Sequence, residues 1–188
     1  MNLTPIHNFL RSLMMPLLEI DRALPENGKI YDFGCGEGVV SRFLAKNSKR
    51  KIIGVDINGK RLDKNKTENL RFEQADIRNY RIHNARGIVL TDVLHHIDFK
   101  DQDTVLKNIS KNLSPGGILV IKEIDTGENL RSKLSRFWDF VFYPKEKIYF
   151  TSAKELSSKL ENLGFSVIIK RLAYFFPGST TLFICKKC

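Results

Sequence analysis

The 188-residue sequence is poor in cysteine, with Cys35, Cys185 and Cys188 spread unevenly along it. Three such thiols cannot build a disulfide framework, which excludes a disulfide-stapled secreted fold and points to a reducing compartment. Cys185 and Cys188 form one Cys-x-x-Cys without the second ligand pair of a structural zinc site, so packing and tail thiols are expected and no metal is. Long apolar runs are also missing, and nothing approaches the roughly 20 residues that span a bilayer. The run Leu13 to Leu18 is broken by Pro16 and bounded by Arg11 and Glu19, unlike a signal peptide, and the cytoplasm is the expected location. Metal-ligand clusters, a serine elbow and a phosphate loop are likewise lacking.

The composition that remains is 42% hydrophobic and 28% charged. That balance and length suit one compact domain spanning residues 1–188. The formal charge of +10 bears on association with nucleic acid, an anionic membrane surface or an acidic ligand, and says nothing about chemistry.

The stretch Ile30-Tyr-Asp-Phe-Gly-Cys-Gly-Glu-Gly-Val-Val40 reads as a strand that delivers a ligand-binding loop. Gly34, Gly36 and Gly38 remove side chains where backbone must turn sharply beside a bound molecule, and Val39 opens a helix. A dinucleotide fingerprint needs Gly-x-Gly-x-x-Gly, but Val39 occupies the position that would complete it. The indicated ligand is a nucleoside.

Beyond this loop, apolar strands and amphipathic helices alternate. Strands are expected at 29–33, 51–55, 70–73, 87–92 and 117–124, with helices near 38–47, 58–66 and 101–113. This rhythm implies a parallel sheet with right-handed crossovers, which binds ligands beyond the carboxyl ends of its strands. Asp32, Asp56, Asp76, Asp92 and Asp125 each stand at or just past such an end. Asp56 lies about 20 residues beyond the loop, where a carboxylate can accept from both hydroxyls of a ribose. Asp76 can accept from an adenine amino group while Ile77 covers the ring; a helix-capping aspartate is the alternative reading.

Asp32-Phe-Gly-Cys-Gly-Glu-Gly38, Gly54-Val-Asp56, Ala75-Asp76, Leu90-Thr-Asp-Val-Leu-His-His-Ile97 and Leu113-Ser-Pro-Gly-Gly-Ile-Leu-Val120 together resemble the successive motifs of class I S-adenosylmethionine-dependent methyltransferases. The resemblance implies an α/β, Rossmann-like, doubly wound seven-stranded sheet of order 3-2-1-4-5-7-6 with strand 7 antiparallel. Strands 165–170 and 180–185, joined through Pro177-Gly178, suit the final hairpin. S-adenosyl-L-methionine is the implied cofactor. Asp32, Gly34, Gly36 and Gly38 would form its loop at the methionine end, Asp56 with Ile57 would hold ribose, and Asp76 with Ile77 would hold adenine, with Asp92 completing the site. His95 or His96 could serve as a general base, with structural packing as the alternative for both.

Two segments fall outside the rhythm. Residues 3–24, within an N-terminal cap region 1–25, carry an apolar stripe through Phe9, Leu13 and Leu17 that Pro16 would kink or divide; a packed helix is expected, with a cover over the ligand site or peripheral membrane contact as alternatives. Residues 126–150 precede the capping box Ser152-Ala-Lys-Glu155, which opens a helix over 152–163. They mix Arg131, Lys133, Arg136, Lys145 and Lys147 with Phe137, Trp138, Phe140, Phe142, Tyr143, Tyr149 and Phe150, an acceptor-side insert or an ordinary amphipathic helix. The basic cluster Lys46, Lys49, Arg50 and Lys51 precedes the second strand, at the opposite edge of the sheet, and is expected to be solvated. These features favour a small-molecule or lipid-like acceptor, with nucleic acid, or cofactor binding without turnover, as the alternatives.

Overall fold

The computed structural model describes residues 15–60, 62, 66–124, 148–172 and 180–188. Its centre is a seven-stranded sheet of order β3-β2-β1-β4-β5-β7-β6, built from β1 (Gly28–Phe33), β2 (Arg50–Asp56), β3 (Leu70–Gln74), β4 (Ala85–Thr91), β5 (Leu113–Ile124), β6 (Phe165–Leu172) and β7 (Thr180–Lys187). The first five strands pair in parallel, and β7 runs antiparallel between β5 and β6.

Helices cover both faces, which is why the central strands read as nearly continuous apolar runs. Strand alternation sends Ile30 of β1 into the core packed with Ile20 and Leu24, while Tyr31 and Phe33 enter the core that holds Val105, Leu106 and Leu160. The first face is covered by α1 (Leu17–Ala23) and α2 (Val39–Leu44), the second by α3 (Phe99–Asn112) and α4 (Ala153–Asn162). Asp98 caps α3 by accepting from Asp101 N–H at 2.9 Å, and Ser152 caps α4 by accepting from Glu155 N–H at 3.2 Å.

One local expectation is corrected, and others lie partly outside the described residues. Pro16 stands at the N-cap of α1 and so marks where that helix begins; residues 3–14 lie outside the described residues. The described residues of the helix expected at 58–66 are not helical. Asp56 Oδ1 accepts from Asn58 N–H at 2.8 Å and Asn58 Oδ1 from Lys60 N–H at 3.1 Å, local bonds that compete with a helical start. Residues 125–147 and 173–179, with Asp125, most of the aromatic-basic insert and the Pro177-Gly178 turn, also lie outside the described residues.

Arg50 departs from the solvated cluster expected around it. Lys46, Lys49 and Lys51 are exposed, but Arg50 is 3% exposed. Its guanidinium pairs with the Asp21 carboxylate and donates to the carbonyls of Pro25 at 2.7 Å and Asp21 at 3.1 Å. A planar fork of donors can satisfy the carbonyls at the end of α1 and fasten that helix to the first residue of β2. Arg50→Met should therefore cost about 1–3 kcal/mol, because buried acceptors lose their donor. At about 2–4 °C per kcal/mol for a domain of this size, the melting temperature should fall several degrees, and an unchanged melting curve would contradict the clamp.

Candidate functional site

The parallel strands end side by side, so the residues that follow them must meet. A cleft of about 650 Å³ lies there, lined by Gly34, Gly36, Asp56, Ile57, Asp76, Ile77, Asp92 and His96, all anticipated from sequence, and by Asn58, Arg78, Val93, Asp98, Asp101 and Tyr149. Asp32, Gly38 and His95 do not line it. Asp32 is fully buried beneath the loop and accepts from Ser41 Oγ of α2 at 2.6 Å. Gly38 adopts left-handed geometry at the N-cap of α2, against the Phe72 ring.

The loop is held by neighbouring strands. Gly34 and Cys35 donate backbone N–H to Val55 carbonyl at 2.7 and 3.1 Å, and Gly36 N–H donates to Asp56 Oδ2 at 2.8 Å. With Asn58 N–H on Oδ1, the Asp56 carboxylate accepts one backbone bond on each oxygen. An ionised carboxylate offers about four lone-pair sites, so each oxygen retains one for a ligand hydroxyl. Cys35 is not a nucleophile here: burial, with the Asp32 and Asp56 charges beside it, pushes its thiol well above the usual range.

On the other wall, Asp92 follows β4 with φ of 56°, an uncommon conformation for a side-chain-bearing residue. Lys122 of β5 holds it there, with Nζ 2.7 and 2.6 Å from its two carboxylate oxygens and the Lys122 carbonyl accepting Asp92 N–H at 3.0 Å. The next residue, Glu123, points to the opposite face. It accepts from Leu94 N–H at 2.9 Å and lies 2.5 Å from His95 Nδ1. Thus His95, only 3% exposed, is held by the Glu123 carboxylate. Its ring lies 4.3 Å from that of His96, tilted by 47°, and His96 reaches the cleft. Gln102 of α3 fastens the same turn by donating to the carbonyls of Leu94 at 3.0 Å, Ile97 at 2.9 Å and Tyr149 at 3.1 Å. Tyr149 N–H in turn donates to the His95 carbonyl at 2.8 Å.

Lys122, Glu123, Gln102 and Arg78 were missed in the sequence. The available signal was a Lys-Glu pair inside the apolar run Ile118 to Ile124, since charged residues are rarely buried without partners.

The chain matches the methyltransferase domain family over residues 6–169, and it belongs to that family. Among curated relatives, it is 36% identical over 109 residues to the carboxy-S-adenosyl-L-methionine synthase of Shewanella sediminis, a match covering 52% of this chain and 44% of the relative. The chain thus spans about half the length of the curated relatives it matches. Its fold is similar to that of an S-adenosylmethionine-dependent methyltransferase from Archaeoglobus fulgidus, with TM-score 0.73, 17% identity, and coverage of 97% and 99% of the two chains. It is also similar to magnesium protoporphyrin IX methyltransferase from Synechocystis with bound S-adenosylhomocysteine, with TM-score 0.70, 15% identity, and coverage of 92% and 83%. At these identities the structural likeness is one of fold.

Family membership, the ordered motifs and the sheet topology make the chain a class I methyltransferase domain, a family whose cofactor is S-adenosylmethionine. The cleft fits that cofactor. A Cβ built on Gly36 meets nothing within 4 Å, whereas one on Gly34 would stand 2.3 Å from Val93 Cγ2. Gly36 is therefore bare toward the space a ligand needs, and Gly34 is bare because the loop packs on Val93. Gly36→Ala should leave the protein folded, at about 1–2 kcal/mol for its left-handed backbone, while weakening cofactor binding. Gly34→Ala should cost more stability, because it adds a clash to the same backbone cost. Urea titration beside calorimetry with S-adenosylhomocysteine separates the two, and equal stability losses would contradict this division.

Proposed function

We propose that the protein methylates a small acceptor, uncharged or cationic, small-molecule or lipid-like, and that nucleic acid is not its substrate. The observation that carries this reading is the charge of the cleft. Although the whole chain is at +10, the described residues that line the cleft include Asp56, Asp76, Asp92, Asp98 and Asp101 against Arg78 alone among lysines and arginines, with Lys122 behind Asp92. Carboxylates in a partly water-excluded cleft focus a negative field, which repels a phosphodiester and attracts a sulfonium. The cleft rim supports an apolar partner: Phe99 is 47% exposed and packs edge-on to Tyr149 at 5.5 Å.

The cofactor supplies a methyl carbon already activated by its sulfonium. The protein's part is to bind, orient and exclude water, which can supply about 7–11 kcal/mol of the barrier. In this reading Gly34 and Gly36 admit the cofactor to the loop backbone, and Asp32 and Gly38 shape that loop from beneath. Asp56 accepts from the ribose hydroxyls beside Ile57, Asp76 accepts from the adenine amine beside Ile77, and Asp92 flanks the remaining wall. Among the described residues, His96 lines the cleft and would take a proton from an acceptor that arrives protonated. His95, clamped by Glu123, fixes the turn that presents His96.

Methyl-labelled S-adenosylmethionine incubated with the protein and fractionated cell extract should leave label in a low-molecular-mass or lipid fraction and none in RNA; label in RNA would overturn the acceptor assignment. Asp56→Ala should weaken cofactor binding by about 1.5–3 kcal/mol, roughly ten- to a hundredfold. Unchanged affinity in that variant would remove Asp56 from the ribose.

A further inference from the structure

Arg78 is absent from the motif series, yet it joins the two walls of the cleft. Its Nε lies 3.0 and 2.9 Å from the Asp76 carboxylate oxygens, Nη2 lies 2.5 Å from Asp76 Oδ2, and its backbone N–H donates to Asp76 Oδ1 at 2.9 Å. On the far side, Nη1 donates to Asp101 Oδ2 at 2.8 Å, in the first turn of α3. All three residues line the cleft.

We propose that Arg78 is a specificity-determining residue for the cofactor: by bridging Asp76 to Asp101 it fixes Asp76 as a single hydrogen-bond acceptor for the 6-amino group of adenine. The inference rests on the reading of Asp76 as the adenine contact. Three donor hydrogens, from the backbone N–H, Nε and Nη2, make four contacts with the Asp76 carboxylate, two on each oxygen, the Nε hydrogen being shared between them. Three hydrogens against about four lone-pair sites leave capacity for one more, which matches one N–H donor. The guanidinium fork fixes the carboxylate plane as a single-point ammonium would not. The same bonds hold the Asp76 carboxyl below its ordinary range, so it accepts, and does not donate, throughout the neutral range. Asp101, held at the α3 N-terminus by the Asp98 cap, gives the bridge a fixed far end.

A site built to accept from a ligand N–H discriminates against the analogue lacking it, less strongly where water can reach. Asp76 is 28% exposed on its side chain, so a modest preference is expected. The test is calorimetry with S-adenosylhomocysteine and its 6-deamino analogue, in which hydrogen replaces the adenine amine. The wild-type protein should prefer the amine by about tenfold. Arg78→Ala should weaken S-adenosylhomocysteine binding by roughly three- to tenfold and remove most of the preference. Arg78→Lys should keep the charge but lose most of the preference, and Asp101→Asn, which leaves Asp76 untouched, should show part of the Arg78→Ala effect. The Arg78 side chain is 44% exposed, and melting temperatures near wild type will separate lost binding from lost fold.

The inference is overturned if Arg78→Ala leaves affinity and preference within twofold of wild type, or tightens binding, which would make Arg78 a competitor of adenine for Asp76. It is also overturned if wild type binds both ligands equally, an outcome that leaves the cofactor assignment standing. Wild-type binding of neither ligand would instead sink the cofactor assignment itself.

Discussion

The hydrogen bond from Gly36 N–H to Asp56 Oδ2, at 2.8 Å, is the contact on which the site depends. It ties the loop after β1 to the end of β2, and it can form because the two strands pair in parallel with Asp32 opposite Gly54 and Phe33 opposite Val55. Parallel register brings strand ends together, whereas an antiparallel neighbour would bring the start of one strand beside the end of the next. The same geometry sets Asp76 beyond β3 and Asp92 beyond β4, so four successive strands contribute to one cleft. Polar residues gather there because both faces of the sheet are covered by helices and the strand ends are where backbone and carboxylate can meet a ligand.

The whole chain and the described lining of the cleft carry charge of opposite sign. The chain's charge of +10 governs long-range association, but within about a Debye length the local carboxylates decide which ligand is attracted. Each is restrained by a partner that leaves acceptor capacity. Asp56 has two backbone amides, Asp76 has Arg78, Asp92 has Lys122 and Asp101 has Arg78. Such restraint lowers the reorganisation required when a ligand arrives, which is the usual structural basis of preorganised binding. The Glu123 clamp on His95 does the same for the turn after β4, where it fixes Leu94 and sets the His95 ring against that of His96.

The fold and the outline of the site were legible in the sequence because both depend on local signals with fixed periods. Apolar runs of strand length, an acid at each run's end and three alternating glycines report strand termini, and termini are where parallel sheets bind. The depth of each residue was not legible. Asp32 and Asp56 look alike in sequence, yet Asp32 pairs with Gly54, two residues short of Asp56, and is buried against Ser41, whereas Asp56 ends β2 at the cleft. His95 and His96 are adjacent, and only the position of Glu123, 28 residues after His95, determines which is clamped. Arg50 sits in a lysine-rich stretch and reads as solvated, but the carbonyls ending α1 supply partners that no local pattern announces. Long-range polar partners of this kind are set by tertiary packing, and they are what sequence periodicity does not encode.

A backbone amide NMR titration with S-adenosylhomocysteine tests most directly the claim that residues after four parallel strands form one nucleoside cleft. The signals of Gly36, Asn58, Ile77 and Val93, one from the segment after each strand, should shift with a single saturation curve, while those of Ile184 and Lys186 in β7 stay in place. Perturbations confined to one of these segments, centred on the β6–β7 hairpin, or absent at saturating ligand would contradict the account.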